Sequence, residues 1–394
     1  MRTVVIVILV CLLLGCGEAP PAVMVQGKTE AQWKLQAEDL SPSTKAEALE
    51  ALGKFETPDV ALIAKHMTES QGSVRLAAIR GLGHAGPAAL PHAEALVAIV
   101  EAEVKDGPRA KTAKATRNAA METLGAIGPE AFKSFSHMLV SESPRLRASA
   151  VFAMRPFVKE LKDGINTVLP LVEDEHAVVR REAVKTLGAA AEGSRDPRAC
   201  EALGKGINDP DAGVADAAAL ALGSVGGSAD REGKALAELL YNHRTSTRAS
   251  AAFALGLMGA EASPYTEQLV ECLQSDARRV VRIQAARAHY RITGDASLAL
   301  EQLEKDLQCS DTGLCRDAIR AIAEMGADGA PAVQSVIGCL DKPALRVEAA
   351  KALGAMGPGA SAALPHLERA AAAAGAQGPA RDEIDRAREA IRGE

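Results

Sequence analysis

The chain has 394 residues, a formal net charge of −6 and a sequence pI near 5.9. An acidic chain has no general attraction for nucleic acid, and 3% aromatic residues are too few for base-stacking platforms. That length would make two or three globular domains, but the sequence repeats itself, so an array is expected instead.

Met1-Arg2 is a short basic start, residues 3–14 are apolar, and Gly15-Cys16 follow. At ~1.5 Å per residue the apolar run spans roughly 20 Å, short of a ~30 Å bilayer core. It reads as the hydrophobic region of a signal peptide covering residues 1–15. Gly17-Glu18-Ala19-Pro20-Pro21 begins a short tether, so residues 16–28 are assigned to a linker. Gly27-Lys28-Thr29-Glu30-Ala31-Gln32-Trp33 opens the folded part. Trp33 is the sole Trp and is expected to cap the apolar end of the stack.

From there one phrase recurs ten times: a basic residue, an Ala three positions on, then a Leu, usually followed by Gly. Its leading position falls at Lys45, Arg75, Arg117, Arg147, Arg180, Ala215, Arg248, Arg282, Cys315 and Arg346. The steps between neighbours are 30, 42, 30, 33, 35, 33, 34, 33 and 31 residues. A period near 33 predicts a stacked helical array, an all-α solenoid over residues 29–380 with about ten helix pairs and no strand. Within a unit, Arg75, Ala78, Ile79 and Leu82 make one helical stripe. The Gly after Leu, with Gly86-Pro87, is expected to stop that helix. An apolar residue 18 positions after the repeat Ala marks a second helix: Leu96, Val168, Leu236, Leu269, Val336 and Leu367. Asp174, Asp209, Asp276 and Asp341 precede first helices and are expected to cap them. Residues 381–394 read as a polar terminal helix, with Ile384, Ala387 and Ile391 on one face, that shields the last repeat.

The long step of 42 carries about ten extra residues centred on Glu101 to Thr116. Lys105, Arg109, Lys111 and Lys114 flank Gly107-Pro108 there, a candidate contact for an acidic partner or anionic polymer, with a solvated hairpin as the plainer reading. Among the cysteines, Cys272 and Cys339 stand 21 positions after the repeat Ala, beside Ile99, Leu171 and Leu239 in other copies, and read as core. Cys309 and Cys315 straddle a loop and are a candidate disulfide, with free thiols the alternative. The spacings of zinc sites are absent, as are hydrolase, metalloprotease and nucleotide-binding fingerprints. No catalytic residue, metal site or cofactor is expected. Gly223-Ser224-Val225-Gly226-Gly227 is read as a repeat turn.

Three resemblances sharpen this reading. Val74-Arg75 with Ala77-Ala78 and Leu82-Gly83, and Val179-Arg180 with Ala183 and Leu187-Gly188, resemble HEAT repeats of the phycocyanobilin-lyase type over roughly residues 41 to 394. In such repeats the basic residue bonds toward a neighbouring repeat, so Ala215 and Cys315 imply looser junctions. Leu13-Leu14-Gly15-Cys16 resembles a bacterial lipobox, which implies lipidation at Cys16 and cleavage before it. The Gly-Lys-Thr opening with Trp33 is similar to exported HEAT-repeat proteins of planctomycete-like bacteria.

Together these imply a monomeric, membrane-tethered, non-catalytic scaffold in the bacterial envelope. It faces the periplasm and binds a protein or peptide but no nucleic acid. Gly17 after the Cys points to the outer membrane. The alternative implied by the resemblance is an enzyme or enzyme accessory related to bilin lyases.

Overall fold

The computed structural model describes residues 23–105, 111–225, 229–308, 310–374 and 378–393. Their regular structure is helical, joined by short turns, apart from a hairpin that pairs Met24–Val25 with Lys28–Thr29. The expected absence of strands is therefore corrected at this one place, where Gly27 at φ +77° permits the tight turn. The chain divides into two compact units, Met1–Lys162 and Asp163–Glu394.

Each of the ten repeat positions lies in a first helix, from Pro42–Leu52 to Arg346–Ala355. In both units these helices pack on one another in series, Gly72–Ala85 on Lys111–Ile127 and Ala212–Val225 on Thr245–Met258, for example. Local signals set the starts of first, second and terminal helices alike. Asp196 accepts hydrogen bonds from the N–H groups of Arg198 and Ala199, and Asp311 from those of Gly313 and Leu314. Pro occupies the first turn of Pro42–Leu52, Pro144–Met154 and Pro379–Arg392.

The stops match expectation in part: Gly86 ends its helix, but the glycine after Leu does not. Gly83, Gly188, Gly223 and Gly256 all lie inside first helices. The chain turns at the next glycine, Gly86 (φ +58°) or Gly259 (φ +59°), a backbone region that a β-carbon disfavours. A seven-residue 3-10 segment then leads to the second helix, Gly86–His92 in one repeat and Gly259–Tyr265 in another. In the fourth repeat the second helix shrinks to Gly164–Val168 followed by the 3-10 turn Leu169–Glu173.

Two core columns stand as read. Ala78, Ala150, Ala218, Ala251, Ala318 and Ala349 are all 0% exposed, and so are Leu96, Val168, Leu236, Leu269, Val336 and Leu367. Small residues let paired helices approach, and larger side chains fill the layer between pairs. The third column is only partly buried. Leu239, Cys272 and Cys339 are buried, but Ile99 and Leu171 are half-exposed, Leu171 because its helix has given way to the 3-10 turn. Trp33 is 0% exposed, as expected of an end cap, and its Nε1 donates to the Val25 carbonyl at 2.9 Å. At the other end the terminal helix starts at Pro379, two residues earlier than read, and buries Ile384, Ala387 and Ile391.

Candidate binding surfaces

The in-helix glycines are the closest joints between repeats. A β-carbon on Gly223 would stand 2.6 Å from the backbone of Ala254, and one on Gly256 2.8 Å from Ala288 Cα. Gly188 meets Ala221 and Gly354 meets Ala387 in the same way. Beside these joints runs a ladder of arginines. Arg180 donates through Nη1 to the carbonyls of Asp174 and Glu175, and through Nε and Nη2 to Asp209 of the next repeat at 2.7 and 2.8 Å. Arg248 does the same with Asn242, His243 and Asp276, and Arg282 with the Asp276 carbonyl and Asp306.

The aspartates of this ladder cap turns rather than helices. Asp174 accepts from the N–H of His176, Asp209 from Asp211 and Asp276 from Arg278, each two residues on. Asp341 instead follows the helix Val333–Leu340 as its C-terminal neighbour. The two repeats without a basic residue keep other links. Arg244 donates to the Pro210 carbonyl at 2.8 Å, and Arg316 to the Ala344 carbonyl at 3.1 Å.

Where most copies have Leu-Gly, the fourth has Met154-Arg155 and the ninth Ile322-Ala323, and the helix Arg279–Thr293 carries His289-Tyr290. The Tyr side chain takes the place of the glycine joint, and this helix packs less closely on Thr312–Glu324 than on Thr245–Met258. Polar bonds span the gap. Tyr290 Oη donates to Asp328 Oδ2 at 3.0 Å and lies 3.2 Å from the Met325 carbonyl, and burial followed by Asp328 raises its pKa. On the outer side Arg287 and Arg291 both bind Glu324 and lie 5.1 and 5.2 Å from the Phe253 ring. Burial, with the neighbouring Arg291 charge, pushes the Arg287 guanidinium down to about 10.

A cleft of about 690 Å³ opens at this junction. Its walls come from two successive repeats: Asp295, Leu300, Glu301 and Glu304 on one side, Ala327, Asp328 and Pro331 on the other. Carboxylates on an apolar floor suit a basic or amphipathic segment of a partner. Among the described residues no group of three or more His, Cys, Asp or Glu is arranged to hold a metal ion. This site was missed in the sequence, although the signal was there in Tyr290 standing in a glycine column.

The residues singled out earlier are placed as follows. Cys16 and Arg109 lie outside the described residues, as does Cys309, so the Cys309–Cys315 pairing does too. Cys315 is buried, and its Sγ lies 3.5 Å from the Leu307 carbonyl. The long insertion lengthens helices instead of forming only a loop: Lys105 ends Ala93–Lys105, and Lys111 and Lys114 open Lys111–Ile127. Lys114 is exposed.

The HEAT repeats family matches residues 135–223 and 165–256. Residues 135–256 carry HEAT repeats. Importin beta is similar in fold to this HEAT-repeat chain, with TM-score 0.51 and 14% identity over 92% of the chain and 57% of importin beta. Kap95p, whose binding induces the switch loops of RanGDP to adopt the GTP-bound conformation, gives 0.50 and 12% over 92% and 62%. The chain thus spans less than two thirds of either protein. The complex of CpcE and CpcF of phycocyanin lyase from Nostoc sp. is similar at TM-score 0.43 and 20% identity, over 66% of this chain and 94% of that one. No curated protein matches the sequence. The fold is an all-α solenoid.

Proposed function

We propose that this HEAT-repeat chain is a lipid-anchored scaffold of the bacterial envelope that binds a protein or peptide partner without catalysis. The observation that carries the binding half is the cleft at the Tyr290 junction. Its carboxylates and apolar floor come from two successive repeats, so only the stacked array builds it. Kap95p shares the fold and binds a protein, which supports the kind of partner. The anchoring half rests on the basic start, the short apolar run and Leu13-Leu14-Gly15-Cys16.

Fractionation of cells tests the anchor. Wild-type protein is expected in membranes and Cys16→Ser in the soluble fraction or unprocessed. Identical processing and fractionation of both proteins would refute it. For the scaffold, wild-type protein from solubilised membranes is expected to retain a partner that Glu301→Lys/Glu304→Lys loses. Equal retention would move the contact away from the cleft.

A further inference from the structure

Large apolar side chains stand out in water near the start of the described chain. Val23 and Met24 are each 62% exposed, Leu35 is 77% and Leu40 is 98% exposed. Elsewhere among the described residues only Val140, at 86%, and Tyr241, at 58%, are comparably bare, and they stand singly. Isolated exposed apolar residues are ordinary, whereas four within 18 residues need an explanation.

Met24 and Leu35 sit on a stiff support, and Leu40 follows it in the next turn. Met24 faces Thr29 across the hairpin. Thr29 caps the helix Glu30–Ala37 in a capping box with Gln32. The Trp33 indole bonds to the Val25 carbonyl, tying hairpin to helix. Trp33 and Ala37 turn inward against the helix Pro42–Leu52. Leu35, two residues from Trp33, therefore points to the opposite side of its helix.

The chain upstream indicates what covers these residues. Six residues, 17–22, separate Cys16 from Val23. At ~3.5 Å per residue, Val23 can stand no more than about 25 Å from Cys16. With Cys16 lipidated, the exposed residues stay at the membrane at high effective concentration, and a weak apolar contact suffices. Charge is not the attractant. Lys28 lies over the Trp33 ring at 4.1 Å, Lys34 pairs with Glu30 and Asp59, and Glu38 is exposed.

We propose that Val23, Met24, Leu35 and Leu40 rest in the lipid surface that holds Cys16, seating the opening helix against the bilayer. This deepens the anchored-scaffold reading and depends on its lipid.

Because Trp33 is the sole Trp, its emission reports this helix alone. Full-length protein purified from membranes, with lipid at Cys16 checked by mass spectrometry, is placed in vesicles of plain or acyl-brominated phosphatidylcholine. Trp33 emission is expected to fall in the brominated vesicles, and the fall should persist in high salt. Leu35→Ser/Leu40→Ser should abolish the fall while the protein still sediments with vesicles. An unlipidated Cys16 sinks the anchor and the proposal together. A lipidated protein with equal emission in both vesicles overturns the proposal alone, as does quenching that survives the double substitution. Loss of a concentration-dependent dimer in that variant, without quenching in the wild type, would assign the patch to a second copy.

Discussion

Arg248 grips Asp276 at two points, Nε to Oδ2 at 2.6 Å and Nη2 to Oδ1 at 3.1 Å, and so ties one repeat to the next. The side chains are only 15% and 7% exposed. Burial pushes the Asp276 carboxyl up, but bonds from Arg248 and from the Arg278 N–H outweigh it and hold it below the usual carboxylate range. A depressed folded pKa adds stability that is present above the unfolded value of ~3.9 and is lost as pH falls through the folded value. Asp276→Asn should cost about 2 kcal/mol at pH 7 and soften the loss of stability below about pH 4. Thermal melts across that pH range check both effects. Superimposable curves for the two proteins would contradict the ladder.

The glycine joints make a paired prediction. Gly256→Ala drives a β-carbon to 2.8 Å from Ala288 Cα and should destabilise by about 1–3 kcal/mol. Gly204 and Gly338 are also helical, but a β-carbon there meets nothing within 4 Å. Gly204→Ala and Gly338→Ala should raise stability by roughly 0.5–1 kcal/mol, since Ala is the better helix former. Denaturant titrations that shift all three the same way would refute the assignment of Gly256 as a repeat joint.

Tyr290→Phe keeps the ring and removes the bonds to Asp328 and the Met325 carbonyl. The expected cost is about 1 kcal/mol. Hydrogen exchange should quicken in the helices Arg279–Thr293 and Thr312–Glu324. Faster exchange confined to other helices would mean that Tyr290 does not brace this junction.

The legible part of the fold was the part that packing repeats. The Ala column and the column 18 residues later were readable because each must be apolar in every copy. The role of Gly256 was misread because a glycine after Leu can either end a helix or admit a neighbour, and spacing alone does not distinguish them. Gly259 then proved to be the stop. Asp174, Asp209 and Asp276 were misplaced by two residues because a side chain that caps a turn has the same composition as one that caps a helix. The cleft went unseen because its carboxylates, Glu301 and Asp328, come from different repeats and meet only in the stack.

The basic insertion yields a salt-dependent prediction. If Lys105, Arg109, Lys111 and Lys114 hold an anionic partner, their attraction is screened over ~8–10 Å at ordinary ionic strength. Changing all four to Glu should weaken partner capture and leave the melting temperature nearly unchanged. Added salt should weaken capture by the wild type and do little to the variant. Equal capture at low salt would return these residues to a solvated role.

In the proposed scaffold two neighbouring repeats jointly hold a partner at the Tyr290 junction. Site-specific photocross-linking in intact membranes tests it most directly, with the probe at Glu301 in one protein, Ala327 in a second and exposed Lys351 in a third. The same cross-linked partner is expected from Glu301 and Ala327 and none from Lys351. A partner captured from Lys351 but from neither cleft position would contradict it.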